Sequence, residues 1–180
     1  AVTSAEASSQ LSASRGAIIK AYDQNDKSWW ATTQKNQEGT VFYTMYFAEE
    51  QEMSEIQYFR YCPTNAVSWG MWGEVEVYVT ERGGSERLLL KEDFGMSDCP
   101  KTIYFDEPLP VNLESATVKI LTAKPFNENI TNVASAASIE FGCVNPENFD
   151  MLAYFTDLSC SELREEITYE ETEQLLQLYE

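Results

Sequence analysis

The sequence contains no histidine among its 180 residues. This absence excludes Ser-His-Asp and Cys-His nucleophile systems and zinc sites built on imidazole. It also excludes the HExxH helix of zinc peptidases. Chemistry based on carboxylates alone stays possible, but no pair of acidic residues forms a recognisable catalytic motif. We therefore expect that the chain is not an enzyme.

Basic residues are scarce, because 12 lysines and arginines stand against 30 acidic residues and give a formal net charge of −18. Such a surface repels phosphate backbones and anionic lipid, so nucleic acid is not expected as a partner. A neutral ligand or a cation suits this charge better. No apolar run approaches the ~20 residues of a membrane span, so membrane insertion is not expected either.

The four cysteines are Cys62, Cys99, Cys143 and Cys160, and no two of them have CxxC spacing. A zinc knuckle or a redox motif is therefore not indicated. The four residues could form two disulfides or remain as four buried thiols. We favour thiols, because Cys62 and Cys143 each lie in an apolar, strand-like context.

Two-residue periodicity dominates the chain from about residue 41 onward. EVEVYVT (residues 74–80) alternates acidic residues with valine, and VFYTMYF, MSEIQYFRY, ERLLLKE, KTIYF, ATVKILT and SIEFGCV are further strand candidates. Turn-forming residues separate them, and Arg82-Gly83-Gly84 is typical of a hairpin. The pattern predicts an all-β fold, namely an antiparallel sandwich or barrel.

The two ends of the chain have a different character. Residues 1–14 are small and polar, and we interpret them as a flexible lead-in before a sandwich domain over residues 15–150. Residues 151–180 are charged, and Thr168 and Glu171 have capping-box spacing. We interpret this stretch as a linker and a short C-terminal helical extension that leads toward a following domain.

Three local patterns resemble the galactose-binding-like superfamily, which includes discoidin domains, coagulation-factor type C domains and related carbohydrate-binding modules. Asp23, Asn25, Ser28 and Trp30 have the spacing of the first-loop pattern of that family. SEIQYFRYCPT…WGEVEVYVTE resembles its central strands, and TNVASAASIEF resembles its closing strand. The match covers residues 15–144 and implies a jelly-roll β-sandwich.

The tail FTDLSCSELREEITYEETEQL resembles the segment that follows such a module in secreted, enhancin-like metallopeptidases of gut bacteria. That resemblance implies a secreted, cell-surface or periplasmic location. It also implies a neighbouring catalytic domain in the same polypeptide, because a chain without histidine lacks the zinc ligands of such a peptidase.

The resemblance implies a structural calcium ion in the first loop. Calcium prefers six to eight oxygen ligands, and short polar side chains and carbonyl groups supply them in a tight loop. Asp23 and Ser28 would contribute side-chain oxygens, Asn25 a side-chain or carbonyl oxygen, and Lys20 its carbonyl. The family adds a glutamate from the closing strand, where this chain has Ser138. The alternative is a metal-free turn in which the same side chains cap backbone amides.

The resemblance also implies a glycan site on three loops, at residues 32–39, 63–72 and 124–132. Two large aromatics in the turn-rich loop PTNAVSWGMW are hard to bury together, so we expect Trp69 or Trp72 to be exposed. The candidate ligand-binding residues are Trp69, Phe126, Asn127, Asn65, Trp72 and Asn129. Trp30 is expected in the core, and Trp29 either packs or contacts the ligand.

Two positions differ from relatives that bind galactose-type sugars. Thr64 stands where an arginine commonly follows Tyr-x-Pro, and the loops contain no histidine. The main hypothesis is a non-catalytic module that binds glycans or glycoproteins. The alternative is a structural module without a carbohydrate ligand, whose aromatic rim packs on a neighbouring domain and is shielded only in a longer protein.

Overall fold

The computed structural model describes residues 1–23, 25, 27–50, 55–110, 112–143 and 160. It contains a short 3₁₀ helix, Ile18–Ala21, and ten strands. The strands are β1 (Val2–Ala7), β2 (Trp30–Ala31), β3 (Val41–Phe47), β4 (Glu55–Cys62), β5 (Glu74–Glu81), β6 (Glu86–Asp93), β7 (Lys101–Pro110), β8 (Leu113–Ile120), β9 (Ser135–Ala136) and β10 (Ser138–Gly142).

The strands form antiparallel sheets. The order in the five-stranded sheet is β1-β3-β8-β5-β6, and the order in the three-stranded sheet is β10-β4-β7. The two-residue strands β2 and β9 form a separate antiparallel pair, Trp30↔Ala136 and Ala31↔Ser135. The predicted all-β, antiparallel β-sandwich is confirmed. The predicted C-terminal helix lies outside the described residues.

Alternating side chains explain why these segments pair as they do. In β5, Val75, Val77 and Val79 are fully buried, whereas Glu74 is exposed. On β4 and β10, Phe59 and Ile139 belong to the same buried core as these valines. Because a strand alternates its side chains between two faces, one apolar face from each sheet meets in a single core. Burial of this apolar surface is the main stabilising contribution.

Aromatic rings fill one end of the core. The Tyr61 ring stacks on that of Trp72 at 3.9 Å between centroids, and Phe94 meets both edge-on, at 5.4 and 5.9 Å. Trp30 is also fully buried, as predicted, with its ring centroid 4.9 Å from that of Tyr43 and its Nε1 donating to Ser9 O. Packed aromatic pairs of this kind add about 0.5–1.5 kcal/mol each beyond the area they bury.

The N-terminal residues do not form a flexible lead-in, and that prediction is wrong for Val2–Ala7. This segment is β1, which pairs with β3 from Val2↔Phe47 to Ala7↔Tyr43. Leu11 then donates its backbone N–H to Ala31 O at 2.7 Å. As the edge strand, β1 forms hydrogen bonds with the backbone groups of β3. The composition of this segment did not indicate that it would pair in a sheet.

The preference for four free thiols is also wrong. Cys99 and Cys160 form a disulfide with their Cα atoms 5.5 Å apart, although 61 positions separate them in the sequence. Cys62 is a buried free thiol and Cys143 a partly exposed one. Spacing in the sequence carries no information about which distant cysteines meet, because the fold determines that distance.

Gly70 and Gly83 make a matched test of the fold, since both have positive φ, of 82° and 75°. A Cβ on Gly70 would lie 2.7 Å from Ala134 C and Ser135 N, whereas nothing lies within 4 Å of one on Gly83. Gly83→Ala should cost about 1–2 kcal/mol from backbone conformation alone. Gly70→Ala should cost at least ~2 kcal/mol more, because backbone atoms must move. Urea denaturation measures both losses, and equal losses would contradict the close approach.

Candidate functional site

The three predicted loops meet at one end of the sandwich. Asn36 ties residues 32–39 to residues 124–132, because its Nδ2 donates to Asn129 O at 2.6 Å and its Oδ1 accepts from Thr131 N at 3.0 Å. Asn132 closes the same seam by donating Nδ2 to Gly39 O at 2.8 Å. Side-chain amides therefore join two of the loops.

Backbone hydrogen bonds join the third loop to this pair. Gly70 N donates to Lys124 O at 2.7 Å, and Lys124 N donates to Met71 O at 2.8 Å. Ser135 Oγ donates to Trp69 O at 2.9 Å. The loop at residues 63–72 is thus held against residues 124–132 along both backbone and side-chain contacts.

Phe126 is the exposed aromatic side chain of these joined loops, with 38% of its surface accessible. Its ring meets Trp69 edge-to-face, with 5.6 Å between centroids and 86° between planes. Trp69 itself is only 5% exposed. The geometry therefore makes Phe126 the surface residue and Trp69 the support beneath it.

The expectation that Trp69 or Trp72 is exposed is wrong, because both are buried. Trp72 lies in the main core, and Trp69 packs in a separate small cluster with Ala31 and Val133. Gly70 stands between the two tryptophans in a left-handed conformation that sends their side chains to different clusters. Trp72 is thereby too deep to contact a ligand. Trp29 packs partly buried against the Trp69 cluster.

The candidate asparagines shape or border this surface. Asn127 Oδ1 accepts from the backbone amides of Asn129 and Ile130, both at 2.9 Å, which makes a tight turn directly after Phe126. Among the described residues the Asn127 Nδ2 group donates to no partner. Asn129 is exposed, and its carbonyl is the group held by Asn36.

A cleft of about 620 Å³ adjoins the loops and is lined partly by Asn65. One wall comes from residues 62–71, the other from residues 96–100, and Lys124 closes one side two residues before Phe126. Met71 and Met96 supply its apolar surface. Sequence reasoning missed Met96, and it included Lys124 in a predicted loop without naming it as a candidate ligand-binding residue. Nothing in the local patterns brings the β6–β7 and β8–β9 loops together.

Met96 is unusual because it has a positive φ of 54° without being glycine. Its backbone N–H donates to Trp72 O at 2.8 Å, which holds the turn after Gly95 in place. The left-handed conformation of a side-chain-bearing residue costs about 1–2 kcal/mol, so the surrounding contacts must compensate. The disulfide at Cys99 covalently anchors the same loop.

The first loop gathers oxygens around the hydroxyl of Ser28. Three acceptors lie near Ser28 Oγ: Asp23 Oδ2 at 2.6 Å, Asn25 O at 2.9 Å and Lys20 O at 3.2 Å. A hydroxyl has a single proton and can donate it to only one of them. The loop also has the hydrogen bonds of a turn, since Asp23 Oδ1 accepts from Asn25 N at 3.0 Å and Asn25 O accepts from Ser28 N at 2.9 Å.

The other side chains near this loop limit how strong such a site would be. Asn25 Oδ1 accepts from Lys27 N at 3.1 Å, so Asn25 faces the cluster with its carbonyl. Ser138 is buried, and its Oγ lies 3.3 Å from Arg60 Nη1. Glu140 forms an ion pair with the same guanidinium at 3.5 Å. The described residues contain no group of three acidic, histidine or cysteine side chains that could hold a metal.

Burial raises the pKa of Tyr43 well above its usual value, and the neighbouring Tyr22 and Asp23 raise it further. Its hydroxyl donates to Ile18 O, in the 3₁₀ helix that leads into the first loop. Tyr43 therefore stays neutral and acts as a fixed donor beneath the loop at any physiological pH.

Two alanine variants should separate the support from the surface. Trp69→Ala removes a buried indole and should lower the free energy of unfolding by about 3–5 kcal/mol. Phe126→Ala loses mainly one edge-to-face contact and should cost about 1 kcal/mol. Denaturant unfolding of both variants measures the difference. A Phe126→Ala loss as large as that of Trp69→Ala would mean that Phe126 is a core residue.

Comparison with known proteins rests on the fold. No protein-family model and no curated protein matches the sequence. Among solved structures, the CBM32-5 module of GH89 from Clostridium perfringens, determined with GalNAc-β-1,3-galactose, aligns with a TM-score of 0.60 and 22% identity over 78% of this chain and 94% of that one. The family 32 module of NanJ from the same organism, determined with galactose, gives a TM-score of 0.62 and 16% identity over 77% and 91%.

A third solved structure contains the CBM32-1, CBM32-2 and M60 catalytic domains of ZmpB from Clostridium perfringens. It aligns with a TM-score of 0.60 and 21% identity over 82% of this chain and 15% of that one. At these identities the comparisons concern architecture. The chain has the β-sandwich fold of the family 32 carbohydrate-binding modules.

Proposed function

We propose that this chain is a non-catalytic glycan-binding module that brings an attached secreted enzyme to host or mucin-type glycoproteins. The observation that carries the proposal is Phe126, an exposed aromatic ring fixed at the meeting point of three loops by a buried tryptophan. Exposed aromatics on rigid loops are typical of recognition surfaces.

The physical basis is the amphipathic nature of a sugar ring. Its apolar C–H face can pack on Phe126, while its hydroxyls accept from the Asn127 Nδ2 group. Trp69 and the Asn127 turn already hold this surface in shape. Binding therefore requires little ordering of the protein, and preorganisation of this kind favours affinity.

Specificity should differ from that of galactose-binding relatives. Thr64 is buried, and its Oγ1 accepts from Ala66 N at 3.1 Å, so a short turn-capping side chain stands where those relatives carry an arginine. The chain has no histidine to replace the missing arginine. The solved neighbours were determined with galactose or GalNAc-β-1,3-galactose, and we expect another glycan to bind here.

The targeting role is supported by domain context in the neighbours. In ZmpB, modules of this fold share a polypeptide with an M60 catalytic domain. An enhancin-like peptidase is therefore the neighbour that we propose. The Cys99–Cys160 disulfide suits an oxidising, extracellular compartment. A tethered module raises the local concentration of its catalytic partner on a polymeric substrate.

Calcium is the structural ion that the first loop would hold. Asp23 Oδ2, Ser28 Oγ and the carbonyls of Lys20 and Asn25 are the proposed ligands. Water would complete the six to eight oxygens that calcium prefers. When bound, the ion would fix the loop above Trp30. This loop offers a single carboxylate, and Ser138 stands where the family has a glutamate on its closing strand. We therefore expect calcium to bind more weakly than at a site with two carboxylates.

The structural-module alternative loses its main support. It required Trp69 and Trp72 to be shielded only in a longer protein, yet both are buried within this chain. Phe126 is the aromatic that a neighbouring domain could still cover. A glycan ligand explains an exposed Phe126 without a further partner, so we favour it.

Glycan binding should depend on Phe126 and not on exposed apolar side chains in general. In a glycan array that includes mucin O-glycans, followed by calorimetry on the hits, Phe126→Ala should lower affinity at least tenfold. Leu88→Ala, on the edge strand β6 and 49% exposed, is the matched control and should change nothing. Absence of any binding by the parent protein at millimolar glycan would refute the proposal.

Calcium should stabilise the protein through Asp23. Thermal unfolding in excess calcium should occur several degrees above that in excess chelator, since a ligand at 100 times its Kd adds about 2.7 kcal/mol. Asp23→Asn removes the one charged ligand and should abolish the difference. Asp106→Asn, an exposed acid on β7, should preserve it. An identical melting temperature in both buffers would favour the metal-free turn.

A further inference from the structure

Lys124 is an exposed lysine that lines the cleft. Among the described residues its side-chain amine takes part in no hydrogen bond or ion pair, although the protein carries 30 acidic residues. By contrast, Lys91 and Lys101 pair with Glu76 and Glu92 at 3.3 and 2.8 Å. An unpaired lysine that lines a cleft is available to an anionic group of a ligand.

The rest of the cleft suits a sugar of two or three rings. Its volume of about 620 Å³ lies within the range of small-ligand pockets. Met71 and Met96 offer polarizable apolar surface, and Asn65, Ser68 and Ser97 offer hydrogen-bonding groups. The strained turn at Met96 presents one of these apolar groups to the opening.

We infer that this cleft binds glycans that carry a carboxylate sugar, with the Lys124 amine paired to that carboxylate. The inference rests on the proposed glycan-binding function and extends it from the Phe126 surface into the adjoining cleft. Lys124 lies two positions from Phe126, so one oligosaccharide can span both. The ligand class is therefore an acidic oligosaccharide, whether its acid is a sialic or a uronic acid.

The net charge of −18 does not oppose this pairing at short range. At physiological ionic strength the Debye length is about 8 Å, so distant carboxylates are largely screened. Asp98 also lines the cleft, so the pairing requires the ligand carboxylate to lie against Lys124 rather than against Asp98. A lysine in direct contact with a carboxylate forms a charge-assisted hydrogen bond, and that local contact sets the preference.

The test compares acidic sugars with neutral sugars of matched size by calorimetry. The probes are sialyllactose against lactose, and trigalacturonic acid against its trimethyl ester. We expect at least one acidic probe to bind tenfold or more tightly than its neutral counterpart. The pair that shows the preference distinguishes sialic from uronic acid as the source of the carboxylate.

Variants assign the preference to Lys124. Lys124→Ala should remove the tenfold preference and leave affinity for the neutral sugars unchanged, whereas Lys124→Arg should retain it. Lys35→Ala, at an exposed lysine in the loop at residues 32–39, is the matched control and should have no effect. Melting temperatures should be unchanged, because both lysines are exposed.

Two outcomes would overturn the inference in distinguishable ways. Phe126-dependent binding of neutral sugars without a preference for acidic ones would refute the Lys124 pairing and leave the proposed function intact. An equal loss of affinity for neutral and acidic sugars in Lys124→Ala would also refute the pairing and leave the proposed function intact. Failure of every probe and of the glycan array would refute both.

Discussion

The close backbone approach at Gly70 is the constraint on which the arrangement of the three joined loops depends. Its φ of 82° and the 2.7 Å gap that a Cβ would leave to Ala134 and Ser135 permit only glycine. Hydrogen bonds from Gly70 to Lys124 and from Ser135 to Gly70 fasten the loop on both sides. Through this one residue, Trp69 and Trp72 enter different clusters, and Phe126 is held over the first of them.

The proposed function depends on the difference between a buried and an exposed aromatic side chain. Trp72 stacks on Tyr61 and belongs to the sandwich core, and Trp69 supports the loops. Phe126 is the one of these four aromatic side chains that reaches solvent to a large extent. A ring that is held by a larger ring beneath it loses little freedom when a ligand packs on it, which suits weak and reversible recognition of sugars.

Charge acts at two ranges in this molecule. The overall excess of acidic residues argues against polyanionic partners such as nucleic acid. Over a few ångströms, individual contacts decide instead, and most cations of the described sheets are already paired with glutamate. Lys124 has no ion-pair partner among the described residues, and the inferred pairing with an acidic sugar rests on that local contact, which salt screens less than it screens distant charges.

The alternation of Val75, Val77 and Val79 and the hairpin at Gly83 were predictable, because local periodicity and turn chemistry determine them. The burial of Trp30 was implied by the family resemblance. The spacing of Asp23, Asn25 and Ser28 likewise indicated the loop whose oxygens converge. Tertiary structure alone decided that Val2–Ala7 completes a sheet, that Cys99 meets Cys160, and that Trp69 is covered while Phe126 is not. Each of these depends on contacts between residues far apart in the chain, and no local pattern encodes which distant atoms will come within a few ångströms.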